Sequence, residues 1–350
     1  MALWSRKSGE SEREVDAFEQ VASQVVDVIA SAGVVLDSQN YVLRASPGAV
    51  QLGLVQNRRL IHANLVKLAD KARVQSGAVT EEFELETGLR KDRIWVHARA
   101  ARFNDTYVML LVDDRTESKK LEETRRDFVA NVSHELKTPI GAIGLLAEAL
   151  QGAKEDSAAI DKFSASLLRE SQRLANLVQE LMQLSRVQGG TSLDSARPID
   201  LASVVADAVD RNQLLAEKRN IRLVAASEEG VRVMGDYEML TTAVRNLIEN
   251  AIVYSEPGTQ VGIGVKRVDD VAEIAVTDSG IGIPESEQER IFERFYRVDP
   301  SRSRETGGSG LGLAIVKHVA ANHRGEIKLF SQAGVGSTFT IRIPIHQEEK

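Results

Sequence analysis

Two long amphipathic segments, joined by a short connection, set the strongest limit on how this chain can fold. Residues 117–151 carry Leu121, Phe128, Val132, Ile143 and Leu150 near one stripe. Residues 157–188 carry Phe163, Leu167, Leu174, Leu177, Leu181 and Leu184 at three-four spacing. The connection, Gln151 to Asp156, is short enough for an antiparallel hairpin. Two helices alone bury such stripes poorly, so a second copy completing a four-helix bundle is the expected solution.

A structural spacer would explain the stripes but not what the first helix carries. Between Phe128 and Pro139 lie His134 and Glu135 side by side, then Thr138. A lone histidine on a helix is usually solvated or packed. This one has a carboxylate neighbour and a hydroxyl four residues on, on the same face. Those groups can make an imidazole a nucleophile and later position a water.

Upstream, residues 11–30 read as a helix, with Val15, Phe18, Val21 (or Ala22) and Val25 on one stripe. Strand-like runs follow at Gly33–Leu36, Tyr41–Arg44, Glu82–Thr87, Arg93–Ala101 and Tyr107–Asp113. A helical middle is expected from Gly48 to Ala72. Downstream, Gly189 to Pro198 is a small-residue linker. Strands and helices then alternate. Helices are expected at Leu201–Ala216, at Asp236–Ile252 with Asp236 as N-cap, and at Leu311–Asn322. Strands are expected at Ile221–Ala225, Val231–Gly235, Gln260–Arg267, Glu273–Asp278, Gly325–Phe330 and Thr338–Pro344.

Three signatures sit at the ends of these elements. Asn246 and Asn250 share a helix face, and an Asn carbonyl is a hard oxygen that suits Mg²⁺. Asp278-Ser279-Gly280-Ile281-Gly282 follows a strand, where a carboxylate can accept from an adenine amino group. Gly307-Gly308-Ser309-Gly310-Leu311-Gly312 opens a helix, whose bare amides make an anion site. Each alone has a bland explanation as a solvated face, a turn or a capped loop. Neither a dinucleotide fingerprint nor a Walker loop is present. The order and spacing of the three, with Phe292 to Arg297 between the last two, point to a nucleotide site.

Composition narrows the classes. The chain has 350 residues, room for two or three domains. Its net charge of −7 gives no basic footprint, so no nucleic-acid partner is expected. It has no cysteine, which excludes disulfides and thiolate metal sites. No apolar run reaches the roughly 18 residues of a membrane span; Val21–Leu36 is broken by Gln24 and Asp27. The chain as written is expected to be cytoplasmic. Trp4, Arg6 and Lys7 would suit the inner flank of a plasma-membrane anchor lying outside it.

Residues 118 to about 345 resemble a bacterial two-component sensor histidine kinase, and within that family the actinobacterial phosphate-responsive group. The region before them is similar to a PAS-type sensor domain. The resemblance implies a multidomain α+β protein. It comprises a PAS-like α+β sensor domain (11–116), a helical-hairpin dimerisation and phosphotransfer domain forming a four-helix bundle (117–190), and a Bergerat-type α/β sandwich ATP-binding domain (197–348). By resemblance, His134 is the phosphoacceptor and Glu135 its base or orienter. Thr138 positions a water for dephosphorylation of the partner, and Pro139 bends the helix. Asn250 ligates Mg²⁺, Asn246 is a phosphate-side partner, and Asp278 reads adenine beside Gly280 and Gly282. Tyr254 lies near the base, and Arg297 stabilises the γ-phosphate. Gly308, Gly310 and Gly312 form the phosphate end of a lid over residues 299–309. ATP and Mg²⁺ are the implied cofactors. A homodimer and a response regulator with a receiver-domain aspartate are the implied partners, the regulator docking near Ala142, Ile143 and Leu146, although Ile143 also suits the bundle core.

One departure from the family pattern stands out: Val253 occupies the place of a Lys that often precedes the Tyr-Ser pair, leaving Arg297, Arg302 and Arg304 as candidates for its phosphate contact. A hydrolytic ATPase of the gyrase or chaperone kind would need a carboxylate where Asn246 stands. A degenerate scaffold would need fewer of these motifs, and a serine kinase of the same fold would not need the His134 box. In the sensor region, His62 and His97 could hold a cofactor such as haem, or simply pack.

Overall fold

The computed structural model describes residues 31–75, 77–87, 92–103, 106–153, 156–188, 196–298 and 308–346. The helix expected over 11–30, the residues at the amino terminus, most of the linker, and lid residues 299–307 with Arg302 and Arg304 lie outside them. The chain divides into two compact units, Met1–Asp127 and Phe128–Lys350.

In the first unit, β1 (Ala32–Leu36), β2 (Val42–Ala45), β5 (Ala78–Thr87), β6 (Asp92–Arg102) and β7 (Val108–Asp114) form an antiparallel sheet in the order β2-β1-β7-β6-β5. Val96, Ala98 and Ala100 alternate inward along β6, the period of a half-buried strand. Helix α2 (Ala63–Val74) covers that face with Leu65, Leu68, Ala69 and Ala72.

The helical middle expected from Gly48 to Ala72 is corrected. A short helix α1 (Pro47–Gln51) is capped by Ser46, whose Oγ accepts from Ala49 N at 3.2 Å. The chain then breaks at Gly53, with φ 64°, and makes a hairpin of β3 (Val55–Gln56) and β4 (Arg59–Leu60) before α2 begins. Asn57 and Arg58 both adopt positive φ, the backbone that a two-residue hairpin turn demands. His62 precedes α2 without giving a side-chain cap, and burial lowers its pKa. His97 lies on β6, 3.8 Å from Asp113. Among the described residues, no group of three or more His, Cys, Asp or Glu is placed to hold a metal.

The long helices form as expected: α3 (Thr116–Gly152) and α4 (Ser157–Gln188). Pro139 lies inside α3 without ending it; having no N–H, it leaves the Glu135 carbonyl without its usual partner. The stripe on α4 has a second use. Leu177, Leu184 and Val187 are buried in the core of the α/β part, where α4 meets a later helix, α7 (Gly312–Asn322). The Asn322 side-chain amide fastens the end of α4 by donating to Val187 O at 2.8 Å.

The α/β part contains β8 (Arg197–Asp200), α5 (Leu201–Lys218), β9 (Arg222–Ser227), β10 (Arg232–Gly235), α6 (Tyr237–Tyr254), β11 (Gln260–Val268), β12 (Val271–Asp278), α7, β13 (Glu326–Gln332) and β14 (Gly336–Pro344). The main sheet runs β13-β14-β12-β11-β9, with β9 and β11 parallel and the other pairs antiparallel. Strict alternation along β12 and β14 buries Ala272, Ile274, Val276, Phe339, Ile341 and Ile343. Against that face α6 sets Leu240, Val244, Leu247, Ile248 and Ile252. Asp236 caps α6, its Oδ1 accepting from Met239 N at 2.9 Å. No helix among the described residues is long and apolar enough to cross a membrane.

Candidate active site

The sheet and helix ends converge on a cavity of about 310 Å³. Helix α6 supplies Asn246, Glu249, Asn250 and Tyr254. The end of β12 and the turn beyond it supply Asp278 and Gly282. The segment before the undescribed residues supplies Tyr296 and Arg297, and the start of α7 supplies Gly308, Ser309, Gly310 and Gly312. Of the described residues expected to bind nucleotide, all but Gly280 line this space.

Asp278 is buried, and burial pushes its carboxyl above the ordinary aspartate value. Two backbone N–H groups oppose that shift: Gly280 N at 2.8 Å and Ser337 N at 3.3 Å, both on Oδ1. The glycines after it have a steric reason to be there. A Cβ at Gly280 would lie 2.4 Å from Tyr254 O, and one at Gly282 would lie 2.0 Å from Gln332 O. Close approach of backbone to backbone demands them. Gly310, with φ 79°, packs similarly on the backbone of Phe295.

Asn246 is buried, and its amide nitrogen lies 3.5 Å from Gly312 O, at the first residue of α7. It therefore ties α6 to the amide-rich helix start. Asn250 is less buried and offers a hard oxygen to the cavity. A single amide oxygen is a donor that suits a divalent ion arriving with phosphates and water rather than one held by protein alone.

One residue at the cavity, Glu180, was not legible from sequence. Ser309 Oγ accepts from Leu311 N at 3.0 Å and donates to Glu180 Oε2, a carboxylate borrowed from α4. Tyr296 donates to Glu287 and is covered by the Arg290 guanidinium, 4.2 Å from its ring centre. The positions of Phe292 to Arg297 in the chain hinted at a role for Tyr296. Nothing in the chain marked Glu180.

His134 and Glu135 line a second, smaller cleft together with Asn131 and the segment Glu293–Tyr296. Tyr296 borders both spaces. His134 is exposed, and Thr138 sits one turn on with its hydroxyl donating to His134 O at 3.3 Å. Ala142, Ile143 and Leu146 are half-buried on the same helix.

A helical hairpin bearing an exposed histidine is thus packed beside a helix-on-sheet domain whose cavity lies at its strand and helix ends. Residues 235–347 match the family described as histidine kinase-, DNA gyrase B- and HSP90-like ATPase, and residues 124–190 match the His Kinase A phosphoacceptor domain. The sensor-like histidine kinase SenX3 of Mycobacterium tuberculosis is 42% identical over 332 residues, covering 93% of this chain and 80% of that protein. SenX3 of Mycolicibacterium smegmatis is 51% identical over 238 residues, 68% of this chain and 62% of its own length. The phosphate regulon sensor protein PhoR of Pseudomonas aeruginosa is 36% identical over 233 residues, 66% of this chain and 53% of PhoR. The chain thus spans less than two thirds of the latter two. The histidine kinase ThkA, solved in complex with the response regulator protein TrrA, shares the fold over 93% of this chain and 98% of that one, with TM-score 0.51 and 20% identity. The chain belongs to the bacterial two-component sensor histidine kinases.

Proposed function

We propose that this protein phosphorylates its own His134 from ATP and passes the phosphoryl group to an aspartate of a response regulator. The observation that carries this reading is that His134 and the cavity share Tyr296 as a common wall, so nucleophile and nucleotide site meet in one unit. ATP would lie with its adenine at Asp278, whose Oδ2 keeps its acceptor capacity, with Tyr254 beside the base. Its phosphates would lie at the start of α7, where Gly308, Gly310 and Gly312 present bare amides. Arg297 would balance the charge of the terminal phosphate. Asn250 would hold Mg²⁺, which supplies charge neutralisation to the phosphates when bound. A ring nitrogen of His134 attacks the γ-phosphorus, the bond to the bridging oxygen breaks, and ADP leaves with that oxygen. Glu135 orients the imidazole and takes its proton.

The same reading extends to the remaining parts. Residues 11–116 would act as a PAS-like sensor domain, which the sheet order β2-β1-β7-β6-β5 supports. Residues 117–190 would dimerise, which the exposed Leu121, Leu145 and Leu168, each at least 70% accessible, support. Residues 197–348 would form the catalytic domain. Thr138 would position water when the enzyme dephosphorylates its regulator, and Ala142, Ile143 and Leu146 would border the regulator's docking face.

The test is incubation with γ-labelled ATP of the protein and of His134→Gln, followed by acid and base treatment. Acid-labile, base-stable label that vanishes in the variant is expected. Label that survives His134→Gln would overturn the assignment.

A further inference from the structure

Glu180 belongs to α4 of the phosphoacceptor hairpin, yet it lines the nucleotide cavity. Its Oε2 accepts from Ser309 Oγ, and Ser309 Oγ in turn accepts from Leu311 N at the entry to α7. A carboxylate thus sits beside the start of a helix and the two glycines that flank Ser309. Burial raises its pKa above the ordinary glutamate value; the Ser309 hydrogen bond opposes this, the nearby Glu249 adds to it, and Arg245 and Arg297 oppose it. Those neighbours are the groups that a terminal phosphate would meet. Among the described residues Arg245 Nε is buried without a hydrogen-bond partner, and so gives a displaced carboxylate a cation to turn toward.

Resting on the reading of this cavity as the ATP site, we propose that Glu180 is a specificity-determining residue that discriminates between nucleotides by their terminal phosphate. Its carboxylate competes with the γ-phosphate for Ser309 at the entry to α7. ADP, which has no third phosphate, binds without displacing it. ATP must displace it, and in doing so breaks a polar tie between the hairpin and the catalytic part. The hairpin thereby senses whether the bound nucleotide can still donate a phosphoryl group.

The experiment measures dissociation constants of ADP and of a non-hydrolysable ATP analogue, both with Mg²⁺, for the wild type, Glu180→Gln and Glu180→Ala. Removing one like charge at contact distance is expected to tighten the ATP analogue about five- to tenfold. ADP affinity should stay the same, which also reports that each variant is folded. Glu180→Gln retains the shape and a carbonyl for Ser309, so a shift in the ratio for that variant assigns the effect to charge. An unchanged ratio of the two affinities in both variants, with ADP bound normally, overturns the proposal and leaves the ATP site standing. If the wild type binds neither nucleotide, the reading of the cavity fails and this inference falls with it.

Discussion

The ring of Phe128 on α3 lies 6.0 Å from that of Phe295, centre to centre and tilted by 36°, and the Arg294 guanidinium lies 5.4 Å from the centre of the Phe128 ring. This contact holds the histidine helix against Glu293–Tyr296. His134 lines the cleft there and not the cavity that would hold ATP. On the proposed reading, transfer to His134 within one chain would need this contact to give way, a change of packing of the kind used in switching proteins.

Phe128→Ala should accordingly speed autophosphorylation. An aromatic pair contributes about 1 kcal/mol beyond its buried area, so a rise of about fivefold in the initial rate of labelling is expected. ADP affinity should not change, because Phe128 does not line the cavity. Slower labelling with unchanged ADP affinity would show instead that the contact belongs to the transfer-competent arrangement.

Asp278→Asn should separate binding from stability. The folded protein raises the pKa of this carboxyl, chiefly by burial, so its ionised form costs stability wherever the pH exceeds the ordinary aspartate value. Asparagine removes the buried charge and can still accept from Gly280 N. The variant without nucleotide should melt higher than the wild type at neutral pH while losing most of its affinity for ATP and ADP. Calorimetry with and without nucleotide reads both effects; a lower melting temperature would contradict the burial argument.

Much of the α/β part was legible because its signals are local. The alternation along β12 and β14 and the Asp236 cap of α6 each act within a few residues. The hairpin between α1 and α2 was not legible, since Asn57 and Arg58 adopt positive φ without a glycine to advertise the turn. Gly280 and Gly282 were marked as special, but the carbonyls that exclude a side chain belong to Tyr254 and Gln332, which only folding brings near. Glu180 lies 129 residues from Ser309 and has no motif of its own. Its place at the cavity comes from the packing of α4 on α7, where the expected bundle stripe also joins the core of the α/β part.

Gly282→Ala tests the steric reading. Its φ of 65° disfavours any side chain, and the added Cβ would meet Gln332 O at 2.0 Å. Loss of about 2–4 kcal/mol is expected from backbone strain and forced displacement together. Gly264→Ala is the control: nothing lies within 4 Å of its Cβ position and its φ is not in the left-handed region. Denaturant midpoints for the two should differ clearly; equal midpoints would remove the steric argument.

Stability should also fall on mild acidification through His323. This ring is buried between two elements, with Nδ1 2.7 Å from Val319 O and Nε2 accepting from Asp236 N at 3.0 Å. The Nε2 contact fits only the neutral ring, because a second ring proton would face the Asp236 N–H. Burial lowers its pKa below the ordinary histidine value, against opposing effects of Val319 and Asp236. The sign follows: the contribution is complete above the ordinary value and declines as pH falls from there through the lowered folded value. His318 adds to the slope in the same direction, its pKa lowered by burial and by Arg294 and Lys317. His323→Gln should therefore have a lower melting temperature at neutral pH but a shallower decline between about pH 7 and pH 5 than the wild type. Parallel melting curves across that range would mean that His323 does not titrate with unfolding and that the Asp236 contact tolerates a charged ring.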